Sequence, residues 1–425
     1  MANALQTATI VTNEVLRVAH NNSAFLGNMS TDHDDKWKGK YAPGATLKVR
    51  RPVQFTIRNG AAANIQDLTE STVDLTVQPE IGIDFSVSNY ELATAVKADG
   101  SVDKAFRDRY LKPAGLRIAA EVDARIGSII KNQIYNFVGT PGTGPSSITD
   151  ILNAQVPMDN FAAPRENGMR YAALTPVANA AVVAGFATLF NDPATLSKQF
   201  KTGMIQTSLG LDFLMSQNLP AHTVGALGGT PLVNGANQGL INAGSTDNPY
   251  AATTSLVTDG WTASVATRLK AGDVITLAGV NSVNPETKAD NGSLMQFVVT
   301  ADAASDGAGN ATVVISPAII AGGAFQNVTA RPADNAAITV VSGSANTTYR
   351  QNLLWHRDAI MFASPEQEIP GGMDMAYNAS LADEGSISLR FVRGFDITNN
   401  RFISRFDVLI AATAVKPEWC VRRTA

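Results

Sequence analysis

Apolar residues near the N-terminus recur at helical spacing. Residues 9–26 follow this spacing and predict a short amphipathic helix. The polar stretch 31–40 comes next and indicates an exposed connector. Because residues 1–40 contain too few apolar side chains to form a core of their own, we interpret them as an arm.

Two strictly alternating runs then predict a long β hairpin. Residues 47–58, apart from Arg51, and residues 72–77 place apolar side chains at every second position, with mostly polar ones between them. The connection is rich in Gly and Ala, and a third alternating run, 81–87, leads back to the body. A two-stranded hairpin is marginal in water, so we expect this loop to lie on another surface, which could belong to a second subunit.

The strongest helical signal spans residues 101–138, where apolar residues recur every three or four positions. A helix of this length would extend for about 50 Å. We expect Pro113 and Gly115 to kink it or to mark its true start. The loop 139–145, which holds three Gly and two Pro, ends it.

The second half of the chain changes in composition at about His222. Before that point, 176–190 and 193–200 are predicted helices and 210–216 a predicted strand. Residues 223–347 are rich in Gly, Ala, Thr, Asn and Val. Short strands are predicted there at 273–279, 295–300, 311–316 and 337–341. Such strands indicate a small antiparallel barrel or sandwich, and we expect it to fold autonomously.

Mixed helix and strand character resumes at 349–362, so the β-rich segment is interpreted as an insertion. The end of the chain is again β, with a strand at 387–391, a turn at Asn399-Asn400 and a long strand over 402–415. The whole pattern predicts an α+β protein with an inserted antiparallel β domain.

Composition narrows the class of protein. The chain has 425 residues, of which 45% are hydrophobic and 16% charged, enough for a large core and two or three domains. A net charge of −4 argues against a dedicated nucleic-acid binder. The single cysteine, Cys420, cannot form an intramolecular disulfide. We see no signal peptide and no apolar run near the roughly 18 residues of a membrane span, so we expect no membrane partner.

Catalytic motifs are missing from the sequence. The four histidines are scattered, and the acidic group 32–35 lacks the Gly and Glu of a calcium loop. The Gly-rich run 139–144 lacks the Lys-Ser/Thr of a phosphate-binding loop. No Gly-x-Ser-x-Gly elbow is present. We therefore expect no catalytic, metal-binding or cofactor-binding residues, no cofactor and no enzymatic activity.

The order of these parts resembles a known family. Arm, hairpin, spine helix, α/β segment, inserted β domain and closing strands follow one another as in the major capsid proteins of tailed bacteriophages, which have the Hong Kong-97-type fold. The chain is most similar to the coat proteins of short-tailed lambdoid phages that carry an insertion domain. The stretches that support this resemblance are 269–280, 352–360 and 414–418.

The resemblance implies a division of the chain. The expected parts are an N-terminal arm (1–40), an extended β-hairpin loop (41–88), a spine helix with peripheral domain (89–155), a first axial part (156–221), the inserted β domain (222–347), a second axial part (348–380) and peripheral C-terminal strands (381–425).

The resemblance also implies a function. The chain would be a major capsid protein that assembles into the icosahedral head shell of a phage and encloses its genome. Expected partners are copies of itself as hexamers and pentamers, a scaffolding protein and a portal during assembly, and packaged double-stranded DNA contacted non-specifically. Alternatives are a minor head or decoration protein, or a secreted β-rich adhesin or polysaccharide-active protein, which should have a signal peptide and a carboxylate-lined cleft.

Four charged residues of the hairpin are candidate contacts between subunits: Arg50, Arg51, Glu70 and Asp74. Arginine suits such contacts because its planar fork binds a carboxylate through two hydrogen bonds. We expect Arg50 or Arg51 to reach a carboxylate of an adjacent subunit. Replacing both by Glu should then block shell formation and leave the melting temperature of the subunit nearly unchanged.

Overall fold

The computed structural model of the chain describes residues 2–31, 42–55, 57–58, 60–61, 63, 65, 71–88, 104–166, 168–187, 207–240, 253–372, 375–380 and 387–424. The chain divides into two compact units. The first unit comprises Met1–Leu47, Leu75–Ile126 and Met361–Thr413. The second unit comprises Lys48–Asp74, Gly127–Ile360 and Ala414–Ala425.

Four α-helices longer than one turn are present in the described residues: α1 (Ala2–Asn22), α2 (Lys112–Lys131), α3 (Ile148–Asn160) and α4 (Pro176–Ala187). A short α-helical turn, Lys104–Phe106, and a π-helical turn, Arg107–Leu111, lead directly into α2. Short 3₁₀ turns occupy Arg357–Ala359 and Pro417–Trp419.

Strands make up most of the remaining regular structure. In chain order they are β1 (Thr46–Arg51), β2 (Ser71–Thr76), β3 (Ile81–Ser88), β4 (Phe137–Val138), β5 (Arg170–Leu174), β6 (Thr207–Ser208), β7 (Leu211–Met215), β8 (Ala221–Thr223), β9 (Gly229–Val233), β10 (Thr254–Trp261), β11 (Ala266–Leu269), β12 (Val274–Val283), β13 (Asp290–Val299), β14 (Ala303–Ser305), β15 (Ala311–Ser316), β16 (Ile338–Val340), β17 (Thr348–His356), β18 (Ile360–Ala363), β19 (Met375–Ser380), β20 (Ser388–Asp396), β21 (Arg401–Val408), β22 (Ala411–Ala414) and β23 (Cys420–Thr424).

The arm is held in the first unit by close packing on α2. Gly115 makes this approach possible, because a Cβ at that position would lie 2.9 Å from the carbonyl oxygen of Val15. After α1 ends, the buried carboxylate of Asp123 accepts hydrogen bonds from the Ser23 hydroxyl and, at 3.0 Å, from the Ala24 amide. The helix predicted over 9–26 starts and ends earlier in the chain than expected, because α1 already begins at Ala2 and ends at Asn22.

The first unit also contains a four-stranded antiparallel sheet in the order β19-β20-β21-β3. Asp407 is fully buried on it and accepts hydrogen bonds from Arg390 at 2.6 Å and Arg405 at 2.5 Å. Glu80 binds the same two arginines at 2.8 Å each. The long strand predicted over 402–415 is divided into β21 and β22.

The spine helix is shorter than the sequence predicted. It ends at Lys131, and Phe137 lies in β4, which pairs in parallel with β23. Pro113 was expected to kink the helix or to mark its true start, and α2 begins at Lys112, directly before it. The preceding turn is π-helical, with the Lys112 amide donating to the Arg107 carbonyl.

The second unit holds a sheet of seven strands, ordered β4-β23-β17-β5-β7-β6 with β8 paired to β17. The inserted segment forms a six-stranded antiparallel sheet, ordered β16-β12-β13-β15-β10-β9, and a small β11–β14 pair. Its core is fully buried, with Leu256, Phe297 and Ile315 at 0% exposure. The α+β class and the inserted antiparallel β domain are thereby confirmed, while the domain boundaries stay a prediction.

The extended hairpin is paired over a shorter length than expected. Strands β1 and β2 form a two-stranded sheet, but residues 52–55 and 57–58, predicted to continue the first strand, have no regular structure. Residues 349–362, predicted to have mixed helix and strand character, contain two strands around a 3₁₀ turn. Among the described residues, no helix has both the length and the apolar character needed to cross a bilayer.

Candidate subunit-contact site

Alternation along β1 sorts its two arginines onto opposite faces. Successive strand residues point to opposite sides of a sheet. Lys48 and Arg50 are accordingly exposed, whereas Val49 and Arg51 are buried. On β2, Asp74 is exposed and Leu75 is buried. The two strands thus present one charged face and one face that belongs to the core of the chain.

Arg51 forms an ion pair within its own chain. Its Nη2 donates to the Oε1 of Glu418, and its side chain is only 4% exposed. Glu418 lies in the 3₁₀ turn Pro417–Trp419, next to Lys416, whose ammonium stacks 3.7 Å from the ring centre of Trp419. Burial, then repulsion from Arg51, lowers the pKa of Lys416, and Glu418 opposes this shift. This ion pair joins the start of the hairpin to the C-terminal region.

The four predicted contact residues are therefore not equivalent. Arg50 and Asp74 lie at the surface, Arg51 lies inside the subunit, and Glu70 is outside the described residues. That Arg50 and Asp74 contact a neighbour stays a prediction. Glu418, the partner of Arg51, was not among the predicted site residues, because no sequence spacing connects residues 367 positions apart. The burial of Arg51 did have a signal, namely its period-two position with Val49.

A second charged group lies buried at the base of the insertion, and the sequence did not predict it. Asp273 accepts hydrogen bonds from the Nε2 of His222 at 2.8 Å and from the Ser342 hydroxyl at 2.9 Å. It also accepts the amides of Lys270 at 2.8 Å and Gly225 at 3.1 Å. These four hydrogen bonds join β8, the chain before β12 and the chain after β16.

Two cations complete this group. Arg422 of β23 is fully buried and donates from Nη1 to the Gly272 carbonyl at 2.9 Å. Burial lowers its pKa to about 9, and the charge of Asp273 opposes that shift. Lys131, at the end of α2, donates to the Ala221 carbonyl at 3.0 Å, and burial followed by repulsion from Arg422 lowers its pKa. The buried carboxylate of Asp273 thus interacts electrostatically with the buried guanidinium of Arg422 and with the partly buried ammonium of Lys131.

The chemistry of this group is structural. His222 and Ser342 both bind Asp273 rather than each other, and all three side chains are buried, so no hydroxyl is presented to a substrate. In the part of the chain that the structure describes, no three His, Cys, Asp or Glu side chains are grouped as a metal site would require. The arrangement instead fixes the insertion to the strands beneath it.

His222 is expected to make the folded chain sensitive to acid. Burial lowers its pKa more than the hydrogen bond to Asp273 raises it. For Asp273, burial raises the pKa, but the hydrogen bonds from His222 and the Lys270 amide outweigh this effect, and its pKa is also lowered. Both groups bind protons more weakly when folded. Stability should thus fall as the pH drops below about 6.5 through His222, and again below about 3.9 through Asp273.

Urea unfolding between pH 8 and pH 5 tests this expectation. The unfolding midpoint should decrease toward pH 5, and His222→Gln should reduce that decrease, because a glutamine amide can donate to Asp273 without titrating. Burial also lowers the pKa of His356, so the double variant with His356→Gln should flatten the profile further. An unchanged pH profile in the double variant would contradict the assignment.

The chain is similar to a coat-protein family and to several phage structures. The family model described as P22 coat protein, gene protein 5, matches residues 1–421. No curated protein matches the chain.

Three solved structures illustrate the range of similarity. A structure from Mycobacterium phage Che8 has 12% identity and a TM-score of 0.44, covering 93% of this chain and 89% of that one. The mature capsid of bacteriophage PhiM1 has 9% identity and a TM-score of 0.41, covering 95% and 87%. The CUS-3 coat protein I-domain has 30% identity over 27% of this chain and 96% of that one, with a TM-score of 0.21.

Proposed function

Because this chain belongs to the P22 coat protein family, we propose that its exposed extended segments are the contacts through which subunits build a phage head. The chain is a major capsid protein, copies of which form the head shell of the virion. Family membership also supports the Hong Kong-97-type fold that the order of elements predicts. The alternatives of a decoration protein or a secreted adhesin lose their basis, since the family match includes the arm, the spine helix and the insertion.

The uncovered apolar side chains of the loop that follows β1 carry this proposal. Phe55 is 65% exposed, Ile57 90% and Ile65 91%. Burying one large aliphatic or aromatic side chain stabilises a protein by about 1.5–3 kcal/mol. Covering these three residues on neighbours would therefore supply several kcal/mol per subunit, repeated at every position of the shell. A free subunit gains nothing from their exposure.

The same assignment supports the expected assemblies of subunits and the expected partners of the shell. Subunits associate as hexamers and pentamers, and a scaffolding protein and a portal take part in assembly. The enclosed double-stranded DNA is contacted non-specifically, in keeping with the net charge of −4. The protein acts as a building unit without catalysis, and the buried hydrogen bonds of His222, Asp273 and Ser342 support a structural role for those side chains.

Substitutions in the loop test the proposal. The natural chain, produced with its scaffolding protein, should form closed shells visible by electron microscopy. Phe55→Asp/Ile57→Asp should remain a folded subunit with an almost unchanged melting temperature, because both side chains are exposed, but it should sediment as unassembled protein. Val265→Asp is the control, since Val265 is 80% exposed in the insertion. Normal shells from the loop variant would refute the role of the loop.

A further inference from the structure

A groove of about 420 Å³ lies in the second unit between α3, β4 and the β12–β13 hairpin. None of its lining residues carries a formal charge. Polar side chains on its walls include Asn153 and Asn160 of α3 and Ser293 of β13. Apolar side chains beside them, Val156 and Leu294, are 48% and 43% exposed. The groove is thus uncharged, with both amide and aliphatic surface.

One wall of the groove is an open strand edge. Strand β13 pairs with β12 on one side, but with β15 only through Val298 and Val299. Within the described chain, residues 290–297 therefore have no partner strand on the β15 side. Exposed edges of this kind pair readily with another extended segment.

The side-chain amide of Gln296, which belongs to β13, binds the backbone of Phe137 in β4. The Nε2 of Gln296 donates to the Phe137 carbonyl at 2.9 Å, and its Oε1 accepts from the Phe137 amide at 2.5 Å. This pair of hydrogen bonds is the one that a neighbouring strand would make through its backbone. Both bonds satisfy the backbone of Phe137, so in the described chain the backbone edge of β13 stays open along the groove.

We propose that the groove receives residues 52–58 of a second copy of this chain, which add a strand to the open edge of β13. In this mode of recognition, main-chain hydrogen bonds supply affinity, and pockets for alternate side chains supply specificity. Phe55 and Ile57 stand two positions apart and are 65% and 90% exposed, so an extended segment would present both on one face. Val156 and Leu294 offer them aliphatic surface.

A second copy is the occupant that the observations favour. The inference rests on the proposed function, in which every subunit of the shell is surrounded by identical chains. An uncharged groove would admit the apolar positions of this loop without desolvating a charge. The apolar side chains of the loop and the open strand edge of the groove are both exposed, and each can cover the other.

Disulfide trapping tests this pairing, because the only native cysteine, Cys420, is buried. Arg58→Cys/Ser293→Cys keeps Phe55 and Ile57 and places one thiol beside each partner. Oxidised particles should give dimers and longer ladders on a non-reducing gel, whereas unassembled protein should stay monomeric. Arg58→Cys/Val265→Cys is the control, since Val265 is exposed in the same insertion but does not line the groove.

Three outcomes would overturn the pairing. The first is normal particles in which the groove pair cross-links no more than the control. The second is a cross-link within one chain, which would make the loop of the same subunit the occupant. The third is unchanged hydrogen–deuterium exchange in the natural chain, an experiment that needs no variant to assemble. If the pairing exists, the amides of residues 290–296 should exchange more slowly in particles than in free subunits. If the natural chain forms no particles, it is the proposed function that fails.

Discussion

Replacing Asp273 by Ala is expected to lower the free energy of unfolding of the second unit by about 4 kcal/mol, in the range found when one partner of a buried ion pair is removed. The substitution removes the acceptor of four hydrogen bonds, two of them from backbone amides. It also leaves the buried guanidinium of Arg422 without its counter-charge. In the described chain, the Nε and Nη2 of Arg422 already have no hydrogen-bond partner.

Two further variants separate charge from hydrogen bonding. Asp273→Asn keeps an oxygen acceptor but removes the negative charge, and it should be intermediate. Asp302→Ala is the matched control, because Asp302 is exposed and accepts a single backbone amide, that of Ala271, at 2.9 Å. Chemical unfolding followed by tryptophan fluorescence reports on this unit, since Trp261, Trp355 and Trp419 lie within it. Equal losses for Asp273→Ala and Asp302→Ala would contradict the importance of the buried group.

The inserted domain shows how much of the fold the sequence could predict. The four strands predicted there overlap β12, β13, β15 and β16, because one face of such strands is buried and the alternation is regular, as in β15. Strands β9, β10, β11 and β14 were not named from the sequence. Helix α3 was missed although its start carries a signal. Ser147 and Asp150 form a capping box, in which each side chain binds the backbone amide of the other. Pro157 within α3 obscured the helical pattern.

The group around Asp273 could not be predicted in the same way. His222, Asp273, Ser342 and Arg422 come from four separated parts of the chain and meet only when the sheets are formed. A local pattern of hydrophobic and polar residues contains no information on such pairings. Arg422 stands between Val421 and Arg423, and these neighbours do not reveal that its side chain is buried. Its partners depend on topology, which periodicity alone does not determine.

Single substitutions at Arg50 and Arg51 are expected to have opposite effects. Arg51→Glu should reduce the free energy of unfolding by about 3 kcal/mol, because it places a second carboxylate against Glu418 in a site where the native side chain is 4% exposed. Arg50→Glu should leave the melting temperature nearly unchanged, since Arg50 lies on the exposed face of β1. If Arg50 contacts a carboxylate of a neighbour, Arg50→Glu should slow or abolish shell formation.

A charge exchange provides the internal control for Arg51. Arg51→Glu/Glu418→Arg restores an ion pair with reversed polarity and should recover part of the stability lost by Arg51→Glu. In the matched double variant, Glu418→Arg should not increase the stability of Arg50→Glu. Thermal unfolding of the unassembled subunit measures the first effect, and sedimentation after addition of scaffolding protein measures the second. The double substitution Arg50→Glu/Arg51→Glu would combine the two effects and lower the melting temperature. Normal assembly of Arg50→Glu would exclude Arg50 as a contact between subunits, and an unchanged melting temperature of Arg51→Glu would exclude its ion pair as a stabilising contact.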